Sequence, residues 1–161
     1  MIAAVWLLAG VGVMGAHLVG PGREDARSHR LRRRGSLWIV TLVSALYAVA
    51  GLALGFEPLG WLPLALGLWL ILVVAFVVLF QRRHVGGADV RYVGGALWLV
   101  AVGLGPVGLV WLPLTLLGAS LAQLAWSAIS GQRGPWAMVA WLSAAGLVLA
   151  VVALIAEVAL R

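Results

Sequence analysis

The chain holds five acidic residues, Glu24, Asp25, Glu57, Asp89 and Glu157, and its only two aspartates are the side chains with the clearest chemical potential. Two carboxyl groups brought close together cannot both ionise comfortably. One keeps its proton and acts as an acid while the other serves as base toward a water, which is how paired aspartates hydrolyse peptides. The plainer reading makes both solvated loop charges, Asp25 balanced by Arg23 and Arg27 and Asp89 by Arg91, and exposed pairs of that kind contribute little. Other chemistries are poorly supplied. There is no cysteine, which removes disulfides, thiolate nucleophiles and cysteine-based zinc sites. His17, His29 and His84 are scattered with no pair at ligand spacing on a helix, so no metal site and no cofactor is expected.

The elements that must position the aspartates are set by hydropathy. Of 161 residues 64% are apolar and 10% charged, and the mean hydropathy is +1.11. Soluble helices bury one stripe and alternate polar with apolar; here apolar runs of about twenty residues recur with few charges inside them. They span approximately Ile2 to Gly20, Leu37 to Gly55, Gly60 to Phe80, Val90 to Leu104, Val107 to Ile129 and Trp136 to Val158. Only helices satisfy their own backbone segment by segment in lipid, and the ten-residue alternation of a membrane barrel is missing. The expected fold is all-α: a polytopic membrane bundle of about six transmembrane helices, in one membrane-embedded domain over residues 1–161. The first run has no basic residues before it and its charges follow it, which favours a retained helix over a cleaved signal peptide.

Charge then predicts the orientation. The formal net charge is +6, and every cationic side chain is arginine. Six arginines follow the first run, three follow the third and one follows the fifth, whereas the opposite side holds Glu57, Glu157 and Arg161. The positive-inside rule places the arginine-rich side in the cytoplasm, with both termini outside and both aspartates at the cytoplasmic surface. Trp38, Trp61 and Trp136 fall near helix ends, where indoles favour the interface. The basic excess follows the membrane and does not form the aromatic-lined patch of a nucleic-acid binder, so no nucleic-acid partner is expected.

The surroundings of Asp89 narrow the reading. It follows Gly86, Gly87 and Ala88 and opens an apolar helix, so the backbone can approach closely and the helix N-terminus can stabilise a carboxylate. This stretch resembles the prepilin peptidases, polytopic aspartic proteases whose second aspartate lies in a GxGD motif followed by Val-Lys and a small-residue-rich helix. Gly86 takes the first glycine position, Ala88 replaces the second, Asp89 is the aspartate, Val90 follows, and Arg91 stands where lysine is usual. Asp25 with its following basic stretch reproduces the spacing to Leu31, after which Arg32 and Arg33 stand in place of the usual proline and asparagine.

The resemblance implies an aspartic endopeptidase with Asp25 and Asp89 catalytic and with Gly86, Gly87, Ala88 and Arg91 shaping the site or binding substrate. It also implies cleavage of the basic leader from a prepilin or pseudopilin at the cytoplasmic face of a bacterial inner membrane. Longer relatives add a cysteine-bearing insertion and methylate the new terminus; this chain has no cysteines, so proteolysis alone is expected. Two further classes stay open: a catalytically inactive relative serving as a membrane scaffold, and a small transporter. A transporter would place ionisable groups at mid-membrane, and apart from His17 near a helix end and residues such as Ser44, Thr115 and Gln123 the spans are bare.

Overall fold

The computed structural model describes residues 2–28, 34–54, 59–82, 85–131 and 137–160. Among them there is no strand, and six helical rods account for nearly all of the backbone. Rod α1 runs over 2–28, as Ile2–His17, a π turn at Leu18–Gly22, and Arg23–Ser28. Rods α2 (Arg34–Ala53) and α3 (Leu62–Gln81) follow, α3 being led in by a 3-10 turn at Leu59–Trp61. Rod α4 covers 87–103, as Gly87–Arg91, a π turn at Tyr92–Leu97, and Trp98–Gly103; α5 (Pro106–Ser130) and α6 (Met138–Ala159) complete the chain. All but α4 are long and apolar enough to cross a membrane. The protein is therefore a multi-pass, all-α membrane bundle.

Rod α4 is the exception for a physical reason. At 1.5 Å per residue it reaches only about 25 Å, short of a hydrocarbon core of about 30 Å. It is also the most enclosed rod: Tyr92, Val93, Ala96, Leu97 and Val100 are fully buried among its neighbours. A helix wrapped in protein does not have to match the lipid.

Helix α1 departs from expectation. The apolar run stops at Gly20 and Pro21 is a usual terminator, since it lacks an N–H and its ring crowds the carbonyl four residues back. The helix instead widens into the π turn and continues to Ser28. Gly22 allows this: a Cβ there would lie 3.1 Å from the His17 carbonyl oxygen and 3.2 Å from Ser143 Oγ. Asp25 consequently stands on a helix and not in a loop, and His17 lies inside the rod and not near its end.

With lipid outside, the outward faces of the rods are apolar, as at Val5, Leu46, Ile71 and Ile155. Cohesion comes from close packing and from polar groups bridging helices. At one end Trp6 stacks on Tyr47 (centroids 4.5 Å apart), the Trp6 indole N–H donates to the Gly103 carbonyl at 2.7 Å, and Tyr47 O–H donates to the Trp6 carbonyl at 3.2 Å. Trp69 N–H donates to the Gly94 carbonyl at 2.7 Å, holding α3 on α4. Gly105 at φ 66° makes the tight turn from α4 into α5, and a Cβ at Gly108 would overlap the Ala101 carbonyl, so these two helices meet backbone to backbone. Trp38 is exposed, as an interfacial indole should be, but Trp61 is buried; Trp136 lies outside the described residues.

Candidate active site

Both aspartates lie at the end of the bundle opposite the Trp6–Tyr47 stack. Asp25 sits one turn beyond the π turn of α1 and is only 5% exposed, which is incompatible with a solvated loop charge. The Ala140 N–H donates to its Oδ2 at 3.3 Å. Hydrogen bonding within α6 begins with Trp141 N–H to the Ala137 carbonyl, so Ala140 offers one of the donors that a helix start leaves without an intrahelical partner. A carboxylate oxygen from α1 thus satisfies the N-terminus of α6.

Asp89 is the third residue of α4. Gly86 is extended (φ −82°, ψ 159°) and caps the rod, and its N–H donates to Asp89 Oδ2 at 2.8 Å. A Cβ on Gly86 would lie 3.3 Å from that oxygen, so the glycine leaves room for the carboxylate to fold back over the helix start, whereas one on Gly87 would make only an ordinary contact with the Phe80 ring at 3.5 Å. Burial raises the Asp89 carboxyl from 3.8 to about 6; the Gly86 N–H opposes this, and the negative charge of Asp25 adds to it. The two carboxyls are therefore within electrostatic reach of each other.

The bundle brings Asp25, Asp89, Gly86, Gly87 and Ala88 to one end. Arg91 is on the same rod and exposed. Glu24 is engaged elsewhere, accepting from Ser36 O–H at 2.9 Å across α1 and α2. Leu31, Arg32, Arg33, His29, His84 and Glu57 lie outside the described residues. Among the described residues no three His, Cys, Asp or Glu side chains are grouped as metal ligands.

Beneath the aspartates lies a buried polar cluster that sequence reading caught only in part. His17 Nδ1 is 2.8 Å from Tyr92 Oη, His17 Nε2 is 2.8 Å from Ser44 Oγ, and Tyr92 Oη is 2.8 Å from Ser143 Oγ. Ser44 and Ser143 each donate to a carbonyl one turn back, Val40 and Val139, at 2.7 Å. Four rods, α1, α2, α4 and α6, meet in this cluster, and its four side chains are completely or nearly completely buried. Tyr92 and Ser143 gave no sign of it beyond being hydroxyls inside apolar runs.

The fold defines a class, a multi-pass helical membrane protein, with two carboxyls at one end of the bundle. Comparison with known protein families, with characterised proteins and with solved structures finds no match to the chain.

Proposed function

We propose that the chain is a membrane aspartic endopeptidase of the prepilin-peptidase kind, which removes the basic leader of a prepilin or pseudopilin at the cytoplasmic face of the inner membrane. The observation that carries this reading is two carboxyls at one end of the bundle: Asp25 held by the start of α6, and Asp89 raised to about 6 chiefly by burial and in smaller part by the charge of Asp25. Burial holds the proton on Asp89, which gives that carboxyl the acid's part and leaves Asp25 the base's. In that part Asp25 takes a proton from a water. The oxygen of that water adds to the scissile carbonyl, and Asp89, still protonated, donates toward the reacting amide. Collapse of the tetrahedral adduct breaks the C–N bond, and the released amine leaves with a proton.

Asparagine keeps the size of aspartate and most of its hydrogen bonding but cannot carry the proton. Asp25→Asn and Asp89→Asn should each abolish cleavage of a prepilin reporter, a loss of at least 100-fold for an acid or base, while membrane insertion continues. Because the pair acts as a unit, the double variant should be no worse than either single one. Activity should also fall as pH rises through about 6, where Asp89 loses its proton. A wild-type chain that cleaves no prepilin from its host, with neither variant altering pilus assembly, would overturn the peptidase. If the chain were still required for assembly, a scaffold would take its place, a reading favoured by Arg32 and Ala88 standing where the peptidases have proline and glycine.

A further inference from the structure

Each aspartate is separated from the regular body of its helix by a π turn. In α1 the order is Ile2–His17, the π turn, then Asp25; in α4 it is Asp89, the π turn, then Trp98–Gly103. Such turns recur at functional sites, and here the regular i to i−4 ladder does not run unbroken from helix body to carboxyl. Bonds between rods therefore add to the backbone in fixing the two aspartate-bearing segments.

Those bonds form a closed circuit. Asp25 on α1 accepts from Ala140 on α6; Ser143, three residues deeper on α6, meets Tyr92 on α4; and Tyr92 is three residues from Asp89. Tyr92 Oη also meets His17, the last residue before the π turn of α1. Proton bookkeeping makes Tyr92 the hub. The Ser44 proton goes to the Val40 carbonyl, so Ser44 Oγ accepts from His17 Nε2–H, and the other nitrogen of a neutral imidazole accepts from Tyr92 O–H. The Tyr92 proton is then committed to α1, and its contact with α6 is made by the Ser143 hydroxyl turning between Val139 and Tyr92.

We infer that Tyr92 is a positioning residue, whose hydroxyl, held between His17 and Ser143, docks the Asp89-bearing end of α4 against α1 and α6 and so sets the approach of Asp89 to Asp25. This rests on the carboxyl pair being the working site, but its test needs no peptidase substrate.

The experiment is a titration cycle on the full chain in detergent, following by infrared absorption with isotope-labelled aspartate the carboxyl band that Asp89→Asn removes. With Tyr92 present, Asp25→Asn removes a nearby negative charge and should lower the Asp89 midpoint. In a Tyr92→Phe background, which keeps the ring and removes only the hydroxyl, the same Asp25→Asn change should lower it by less than half as much. The other charged groups described on the rods around the pair, Arg23 and Glu24 on α1, Arg82 just past α3 and Arg91 on α4, are present in all four proteins, so the cycle compares like with like. An equal shift in both backgrounds, with only the unfolding temperature lowered, would reduce Tyr92 to a structural role and overturn the inference, as would no shift in either. Should Tyr92→Phe fail to fold, Ser143→Ala breaks the α4–α6 contact alone and is read by the same cycle. A diminished shift in a chain that cleaves no prepilin would leave the positioning role standing and remove the peptidase.

Discussion

Asp89 is held in a place that suits its neutral form better than its charged one, and that has a consequence for stability as well as chemistry. Its proton is lost near 3.8 in an unfolded chain and at about 6 in the bundle. Between those values the folded state holds a proton that the unfolded state has released, so the stability contributed below about 4 is lost progressively as pH rises through about 6. Asp89→Asn cannot ionise but still accepts from the Gly86 N–H. The variant should therefore unfold at a temperature equal to or above that of wild type at pH 7.5, and wild type should lose more thermal stability than the variant between pH 4 and pH 7. A variant clearly less stable at pH 7.5 would mean that Asp89 is an ordinary capping carboxylate. That both aspartates belong to one end of the bundle was legible in the sequence, because acids are so scarce in an apolar chain that each demands a reason. Tyr92 and Ser143 were not legible, because a hydroxyl in an apolar run has a partner only once the rods are assembled.

At the scale of elements, the six apolar runs correspond to the six rods, since a length of about twenty residues without charge leaves few other structures in lipid. The two π turns were invisible: they depend on what Pro21 and Gly22 meet in α6 and on how closely α4 is enclosed, neither of which is local. Bonding from i to i+5 winds one extra residue into a turn. Removing one residue there should restore ordinary winding and leave both flanks in register. Val19 faces outward, 68% exposed, inside the π turn of α1, and Ile39 faces outward, 64% exposed, inside the regular helix α2. Deleting Val19 should keep Asp25 in place and lower the unfolding temperature by no more than roughly 5 °C. Deleting Ile39 should rotate the rest of α2 by about 100° and carry Ser44 away from His17, with loss of folded protein. Thermal unfolding and size-exclusion profiles of the two deletions check this. Equal damage from both would mean that the π turn of α1 is not a one-residue accommodation.

Across the whole molecule the two ends of the bundle differ in kind. One is closed by Trp6, Tyr47 and the Gly103 carbonyl and is poor in charge; the other gathers Asp25, Asp89 and the start of α6, and the arginine-rich stretches after the first, third and fifth runs belong to it by sequence. Arginine retained on the cytoplasmic side is the strongest orienting signal in such chains, and ten of the eleven fall on the aspartate side. The proposed orientation is open to direct test because the chain has no cysteine, so a single introduced thiol is read without background. Cysteines placed one at a time at Ser28 and Gln132 should be protected from a membrane-impermeant thiol reagent in intact cells and react once the membrane is opened. One at Glu57, between α2 and α3, should react in intact cells. The three sites must behave as a set, because an odd number of rods, one and then three, separates Ser28 from Glu57 and Glu57 from Gln132. Labelling at Ser28 and Gln132 from outside, with Glu57 protected, would invert the protein and put both aspartates on the far side of the membrane from any cytoplasmic leader peptide. Labelling at all three would break the alternation of the rods and with it the common end on which the carboxyl pair depends.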